Sequence, residues 1–401
     1  MVRGDMMRVT VRRGDSLWYY SQLFFIPLPL IADSNASINP NALQIGESVN
    51  IPGFTTENYY VKQGDSLWTV ARRRNLALDA LLLLNPNLNP NNLQIGDRII
   101  VPRRVVARVI EERRRYGSAQ LSADVNTLTT IYPFIRVTTI GRSVDNKPIR
   151  EMKIGRGEKK VHFNGSFHAN EWITSSVIMT FLNDYLLALT NQMAIRGIQA
   201  LPLYLSTNIS AVPMVNPDGV DLVLNGPSPQ RRDELIRINN GSTDFSGWKA
   251  NIRSVDLNNQ YPANWEIEKE RKEPKAPAPR DFPGYRPLTE PEAIAMAELA
   301  QREDFDRMLA FHTQGQEFYW GYEGLEPEES ARLAEIFERA SGYRAVRYID
   351  SHAGYKDWFI QQFRKPGFTI ELGRGINPLP LSQFDEIYED VLGIFLASLY
   401  R

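Results

Sequence analysis

VRRGDSLW, residues 11–18, returns fifty residues later as VKQGDSLW, residues 61–68. NPNALQIGESVNIP (39–52) returns at the same interval as NPNNLQIGDRIIVP (89–102). A self-similarity that keeps its spacing over a whole unit marks two copies of one small fold. Each copy gives the same local prediction. A short strand ends at Gly-Asp, Ser16 or Ser66 caps a helix beginning at Leu-Trp, and a second helix follows, clearest in LALDALLLLNPNL. An Asn-Pro turn then leads to a last strand. A unit this small holds few large side chains, and Trp18 and Trp68 are expected to supply much of its core. The first copy departs from the second at FFIPLPLIADSN, where two prolines predict a distorted second helix.

Gly-Asp-Ser-Leu-Trp and Leu-Gln-Ile-Gly-Asp/Glu give both units, taken as 7–53 and 58–103, a resemblance to LysM modules. The resemblance covers about the first quarter of the chain. It implies a β-α-α-β fold and binding to N-acetylglucosamine polymers, with peptidoglycan or chitin as the partner and weaker binding by the first copy. The alternative is a tandem scaffold without a ligand.

The stretch RRVVARVIEERRR (103–115) reads as a charged connector or short helix, and 104–115 is taken as a linker. From Tyr116 to the end, strand-like runs such as FIRVTTIG and KVHFNGS alternate with helical stretches such as ITSSVIMTFLNDYLLALT. That alternation predicts one α/β domain, 116–401, with a mainly parallel or mixed sheet and helices on both faces. The charged, proline-rich stretch 266–285 reads as an irregular surface loop.

Composition narrows the chemistry. A net charge of -1 gives no general reason to expect nucleic acid binding. The chain has no cysteine, so a tightly held metal must use His, Asp or Glu. It has four histidines: His162, His168, His312 and His352. No run of about 18 apolar residues suggests a membrane span. The first residues lack the apolar centre of a secretory signal, so the expectation is a cytoplasmic protein, or one that reaches a cell wall, spore or exterior by release.

The histidines point to a site. In FNGSFHANEWIT (163–174), His168 and Glu171 stand where a strand gives way to a helix. His312 follows the apolar run RMLAF, and Glu371 ends GFTI. In open parallel sheets the carboxyl ends of the strands form the ligand crevice. Three strand ends bringing two histidines and two glutamates to one edge predict a metal centre. Two neutral imidazoles and one carboxylate leave zinc a single positive charge and an open position. A second carboxylate, not a ligand, is then free to carry the proton. His162, two residues before the strand end, is expected to be structural.

These residues give 116–401 a resemblance to zinc carboxypeptidases of the carboxypeptidase A type. GSFHANEWIT, FHTQG, FTIELG and GWKANIRSVDLNNQYPANWE follow the family's motifs in order. The resemblance implies one zinc ion on His168, Glu171 and His312, with Glu371 as base and then acid. It places Asn258 in the substrate pocket and Lys249 where the family has an arginine that polarises the scissile carbonyl. An ammonium stabilises a developing oxyanion without arginine's bidentate fork. Asn259 stands where the family grips a terminal carboxylate with arginine, and Asn170 replaces another arginine. No tyrosine occupies the usual flap position, and Tyr348 or Tyr355 is offered instead. Together with ELGRGINPLP these departures resemble the subgroup that cleaves γ-D-glutamyl-meso-diaminopimelate bonds of wall peptides. Arg374 and His352 are further candidates for substrate contact. The alternatives are a zinc carboxypeptidase on ordinary peptides and a non-catalytic wall-binding protein.

Overall fold

The structure, a computed structural model, describes residues 6–400. The repeats comprise β1 (Met6–Thr10), α1 (Leu17–Phe24), α2 (Leu28–Asp33), β2 (Ser48–Tyr60), α3 (Leu67–Arg73), α4 (Leu78–Leu84) and β3 (Arg98–Arg104). Each copy starts its first helix as its sequence dictates. Ser16 Oγ accepts from Tyr19 N at 3.0 Å, and Ser66 with Thr69 completes a capping box. The strands form one antiparallel sheet in the order β1-β2-β3. β2 serves both copies: Val49 pairs with Val9, and Tyr59 with Ile99. The last strand of the first repeat therefore runs on as the first strand of the second. Arg12, from the first copy, reaches Asp79 of the second at 2.6 Å, and Tyr19 also donates to Asp79.

Two expectations for the repeats need correction. Trp18 and Trp68 are 62% and 54% exposed. Each follows the buried Leu17 or Leu67, and one residue further along a helix turns the side chain about 100° away from the sheet. The cores are built instead from residues such as Tyr20, Leu30 and Val49, and Val70, Leu81 and Ile99. The second helix of the first copy is regular, because Pro27 caps it and Pro29 lies in its first turn. There the missing N–H costs no intrahelical bond.

The chain forms two compact units. The first contains the repeats up to Ile110, with 124–136 and 182–201; the second contains 111–123, 137–181 and 202–400. Within the first, Arg108 pairs with Asp184 at 2.6 Å, and the N–H groups of Val109 and Ile110 donate to Asn183 Oδ1. The connector forms no helix.

The large sheet uses β4 (Arg136–Arg142), β5 (Pro148–Gly155), β6 (Lys159–Gly165), β9 (Thr207–Val212), β10 (Arg307–Thr313), β11 (Glu317–Tyr319), β12 (Arg344–Val346) and β13 (Gly367–Leu372); β7 (Ala194–Ile195) and β8 (Ile198–Gln199) make a separate hairpin. The order is β12-β11-β13-β10-β6-β9-β5-β4. The central strands β9, β6, β10 and β13 are parallel, and antiparallel pairs β5/β9 and β11/β13 flank them. The helices are α5 (Ser118–Ile131), α6 (Ile173–Asn191), α7 (Ala200–Ser206), α8 (Pro217–Asn225), α9 (Arg232–Ile238), α10 (Trp265–Arg271), α11 (Pro291–Glu303), α12 (Glu328–Ser341), α13 (Tyr355–Phe363) and α14 (Phe384–Leu399). Both sheet faces are covered. Phe163 and Phe311 pack with Phe181 of α6 and Phe395 of α14, while Met308 and Ala310 join Met296 of α11 and Phe359 of α13. Every residue of β10 is buried, as a strand covered on both sides requires. The stretch Ala169–Asn191, containing α6, is long and apolar enough to cross a membrane, yet it lies almost wholly inside the protein as a core helix.

Candidate metal centre

The turn after β6 is crowded for a physical reason. A side chain at Gly165 would meet Ile178 Cδ1 and Thr174 Oγ1 at 2.9 Å each. Small residues let α6 begin close against the strand end. Thr174 Oγ1 accepts from Ser166 N at 2.8 Å and donates to Glu171 O at 2.8 Å, which pins the turn. A short 3₁₀ turn, Ala169–Glu171, then carries His168 and Glu171 onto one side.

His312 comes from the end of β10. Its Nδ1 lies 3.1 Å from His168 Nδ1 and 3.0 Å from Glu171 Oε2, and His168 Nδ1 lies 2.8 Å from Glu171 Oε1. All three residues are buried, and their ligand atoms fall within 4.8 Å of one another. Two imidazole nitrogens and a carboxylate converge closely enough to hold one cation. The donor set fits zinc. Burial disfavours charge on Glu171, but His168 and His312 outweigh it and hold the carboxyl below its ordinary range.

The partner of His168 is a residue that sequence reasoning passed over within a quoted motif. Asp256 Oδ1 is 3.4 Å from His168 Nε2, and Asp256 is fully buried. A carboxylate behind a ligating imidazole fixes the ring and raises its basicity. The only signal available was its position two residues before Asn258. Asn377 was also missed: its Nδ2 donates to Thr313 O at 3.0 Å and approaches Glu171 Oε1 at 3.5 Å.

Glu371 stands opposite His312 in the parallel pairing of β13 with β10. Paired residues share a face, so the base candidate and a ligand candidate lie one strand spacing apart, about 4.8 Å at the backbone. Burial, with the Glu171 carboxylate close by, pushes the Glu371 carboxyl up to about 8.

Other predicted site residues are placed differently. Lys249 Nζ lies 3.0 Å from Asp256 Oδ2 and 3.3 Å from Asp281 Oδ1, so it joins the centre through the partner of His168. Asn258 Oδ1 accepts from Tyr355 N at 3.0 Å and fastens the start of α13. Asn259 is buried, and its carbonyl accepts from Trp265 Nε1 at 3.0 Å. Tyr355 is no flap: it is fully buried, its ring packed among Phe167, Tyr261 and Trp358, because the alternation of α13 turns it into the core. Tyr348 donates to Glu326 on the surface. His352 is part-buried and its Nδ1 lies 3.1 Å from Tyr322 Oη. Arg374 is exposed, with no hydrogen bond or ion pair to its guanidinium among the described residues. His162 is fully buried, as expected of a structural residue.

The sequence pattern described as zinc carboxypeptidase matches residues 121–392, most of the chain. The chain belongs to the zinc carboxypeptidase family. The LysM domain pattern matches 9–52 and 59–102. Gamma-D-glutamyl-L-diamino acid endopeptidase 1 of Lysinibacillus sphaericus is 59% identical over 98% of this chain and 100% of its own length. The uncharacterised protein YqgT of Bacillus subtilis is 51% identical over 73% of this chain and 79% of its own. Among solved structures, bovine thrombin-activatable fibrinolysis inhibitor, in complex with tick carboxypeptidase inhibitor, aligns with a TM-score of 0.55 at 18% identity over 72% of this chain and 97% of its own. That likeness is one of fold. Zinc is the metal of this family, and the buried His-Glu-His group is the place in this chain that suits it.

Proposed function

We propose that this zinc peptidase hydrolyses the γ-D-glutamyl bond to a diamino acid, meso-diaminopimelate, in cell-wall stem peptides. One observation carries the reading: the 59% identity to a γ-D-glutamyl-L-diamino acid endopeptidase runs through both repeats and the whole peptidase region. The buried His-Glu-His group beside Glu371 supports the chemistry, and the two LysM domains support a wall polymer as the partner.

His168, Glu171 and His312 hold the zinc, which supplies a Lewis acid next to the scissile carbonyl. Glu371 takes the proton of the attacking water and passes it to the leaving amine. Lys249 carries the fixed positive charge near the developing oxyanion. Asn259, being neutral, cannot hold a terminal carboxylate bidentately as arginine would. Arg374, exposed just past Glu371, is the candidate for a carboxylate of diaminopimelate. Asn258 and His352 serve as lesser contacts of the same pocket. Residues 7–53 and 58–103 bind the glycan, 104–115 join them to the peptidase, and the enzyme works in association with the wall.

The test compares L-Ala-γ-D-Glu-meso-diaminopimelate with its α-linked L-Glu isomer, with products identified by mass spectrometry. Cleavage of the γ-linked peptide alone is expected. Equal or faster cleavage of the α-linked peptide overturns the proposal and leaves a general carboxypeptidase.

A further inference from the structure

The stretch 266–285, which reads as an irregular surface loop, begins inside α10 instead, and its remainder is sewn to the centre by its backbone. Lys249 N and Ala250 N both donate to Pro279 O at 2.9 Å. Asp256 N donates to Phe282 O at 2.8 Å, and Ala278 N to Ser254 O at 3.2 Å. Phe282 is buried and anchors the far side. Between these stitches lies Asp281, held at φ +64, a backbone region that a non-glycine residue enters only at a cost.

What that conformation achieves is visible in the side chains. Asp281 Oδ1 lies 3.3 Å from Lys249 Nζ, and Asp256 Oδ2 lies 3.0 Å from the same nitrogen. Arg280 and Lys272 also approach Asp281, at 2.8 and 4.0 Å. A line of alternating charge therefore runs Asp281, Lys249, Asp256, His168. The Lys249 carbonyl also accepts from Ala169 N at 3.0 Å, tying the same residue to the turn that bears the ligands.

We propose that Asp281 is a positioning residue of the peptidase: it holds the Lys249 ammonium between two carboxylates, so that Asp256 remains the partner of His168 and Lys249 stays where substrate meets it. Without Asp281 the ammonium has one buried counter-charge and settles on Asp256. His168 then shares that carboxylate, its ring is less well fixed, and it donates less strongly to the metal. The inference rests on the zinc-peptidase reading and adds to it a residue that touches neither metal nor substrate.

The experiment uses the full-length zinc-loaded protein and two readouts, kcat on the γ-D-glutamyl substrate and the zinc dissociation constant from chelator competition. Asp281→Asn keeps a side chain that tolerates positive φ, and Asp281→Gly relaxes the backbone altogether. Both are expected to lower kcat about tenfold, with KM nearly unchanged, and to weaken zinc binding several-fold. Asp281→Glu should recover part of each. In a Lys249→Met background, adding Asp281→Asn should change neither readout, because the residue acts only through the ammonium. Full additivity of the two substitutions, or unchanged kcat and zinc affinity in both single variants, overturns the proposal. So does a loss in Asp281→Asn that Asp281→Gly does not share, since both lack the carboxylate and the missing charge would then not be its cause. Absence of any cleavage of the γ-linked substrate by the wild type would count against that substrate while the zinc readout continued to decide for or against Asp281.

Discussion

Replacing His162 with leucine should make the protein markedly more resistant to acid. The ring is fully buried on the sheet, stacked on Phe305 at 4.5 Å. Ser210 Oγ donates to Glu151 Oε1 at 2.7 Å, so its lone pair accepts from His162 Nδ1 at 2.9 Å. That places the imidazole proton on Nδ1, and Nε2 has no hydrogen-bond partner among the described residues. A second proton would sit on Nε2 facing apolar side chains, and burial accordingly lowers the group from its ordinary 6.5 to about 3. The sign follows from linkage: the unfolded chain takes up a proton below pH 6.5 while the folded chain does not. Stability is complete above 6.5, falls as the pH drops, and stops falling only near 3. At about 1.4 kcal/mol per pH unit, the loss reaches about 3 kcal/mol at pH 4.5 and about 4 kcal/mol at pH 3. Urea unfolding of metal-free wild type and His162→Leu at pH 7.5, 5.5 and 4.5 measures it. At pH 7.5 the two should differ by about 1 kcal/mol or less, since one hydrogen bond is lost and apolar contact is kept. The leucine variant should gain on the wild type by about 3 kcal/mol at pH 4.5. Acid effects at the metal ligands are common to both proteins and cancel in the difference. A difference that stays constant across the three pH values refutes the argument.

Glu371→Gln should retain zinc and fold but lose about 10²–10⁴-fold in kcat, the range for removal of a general base; near-normal turnover would exclude Glu371 from that role. Asp256→Asn should weaken zinc binding about 10–100-fold in chelator competition, since it leaves His168 without its carboxylate partner; wild-type affinity would show that the 3.4 Å approach does not orient the ring. Trp68→Ala should reduce sedimentation with purified sacculi while the melting temperature stays within about 1–2 °C, because the indole is exposed and available for stacking on a sugar; unchanged sedimentation with a lowered melting temperature would return Trp68 to a structural role.

The residues of the candidate centre were legible because each sits at or just past the end of a strand, where short apolar runs announce it. His168, Glu171, His312 and Glu371 meet as the motif order implies. Residues that act from behind were not legible. Asp256 reaches His168 only because a 3₁₀ turn, Leu257–Asn259, folds its segment back under the ligand turn, and no periodicity marks such a turn. Asp281 lay in a stretch whose charge and prolines argue for solvent, while backbone bonds to 249–256 are long-range and invisible to composition. Tyr355 was misjudged because an aromatic near a pocket motif and an aromatic on the inner side of a short helix look alike until the helix is given a direction. The tryptophans of the repeats failed for a related reason: size argued for the core, but the helix phase, set by Leu17 and Leu67, decided otherwise.

A module that can be exchanged between proteins needs a seam, a few residues where the chain can be cut without breaking a hydrogen-bonded element. The two LysM copies have none between them. β2 is thirteen residues long and is hydrogen-bonded to β1 over its first part and to β3 over its last. Midway along it, Gly53 sits at φ +74 with its α-carbon so close to Thr190 that an added methyl would fall 2.7 Å from that side chain's β-carbon. A spacer inserted there would split β2 into two strands and separate the β1/β2 pairing from the β2/β3 pairing. Copies that arose by duplication have thus become a single heritable piece. Gene-level shuffling of this architecture should preserve the pair intact, and engineering that changes the number of repeats must join each new copy through a continuous strand at the Gly53 position.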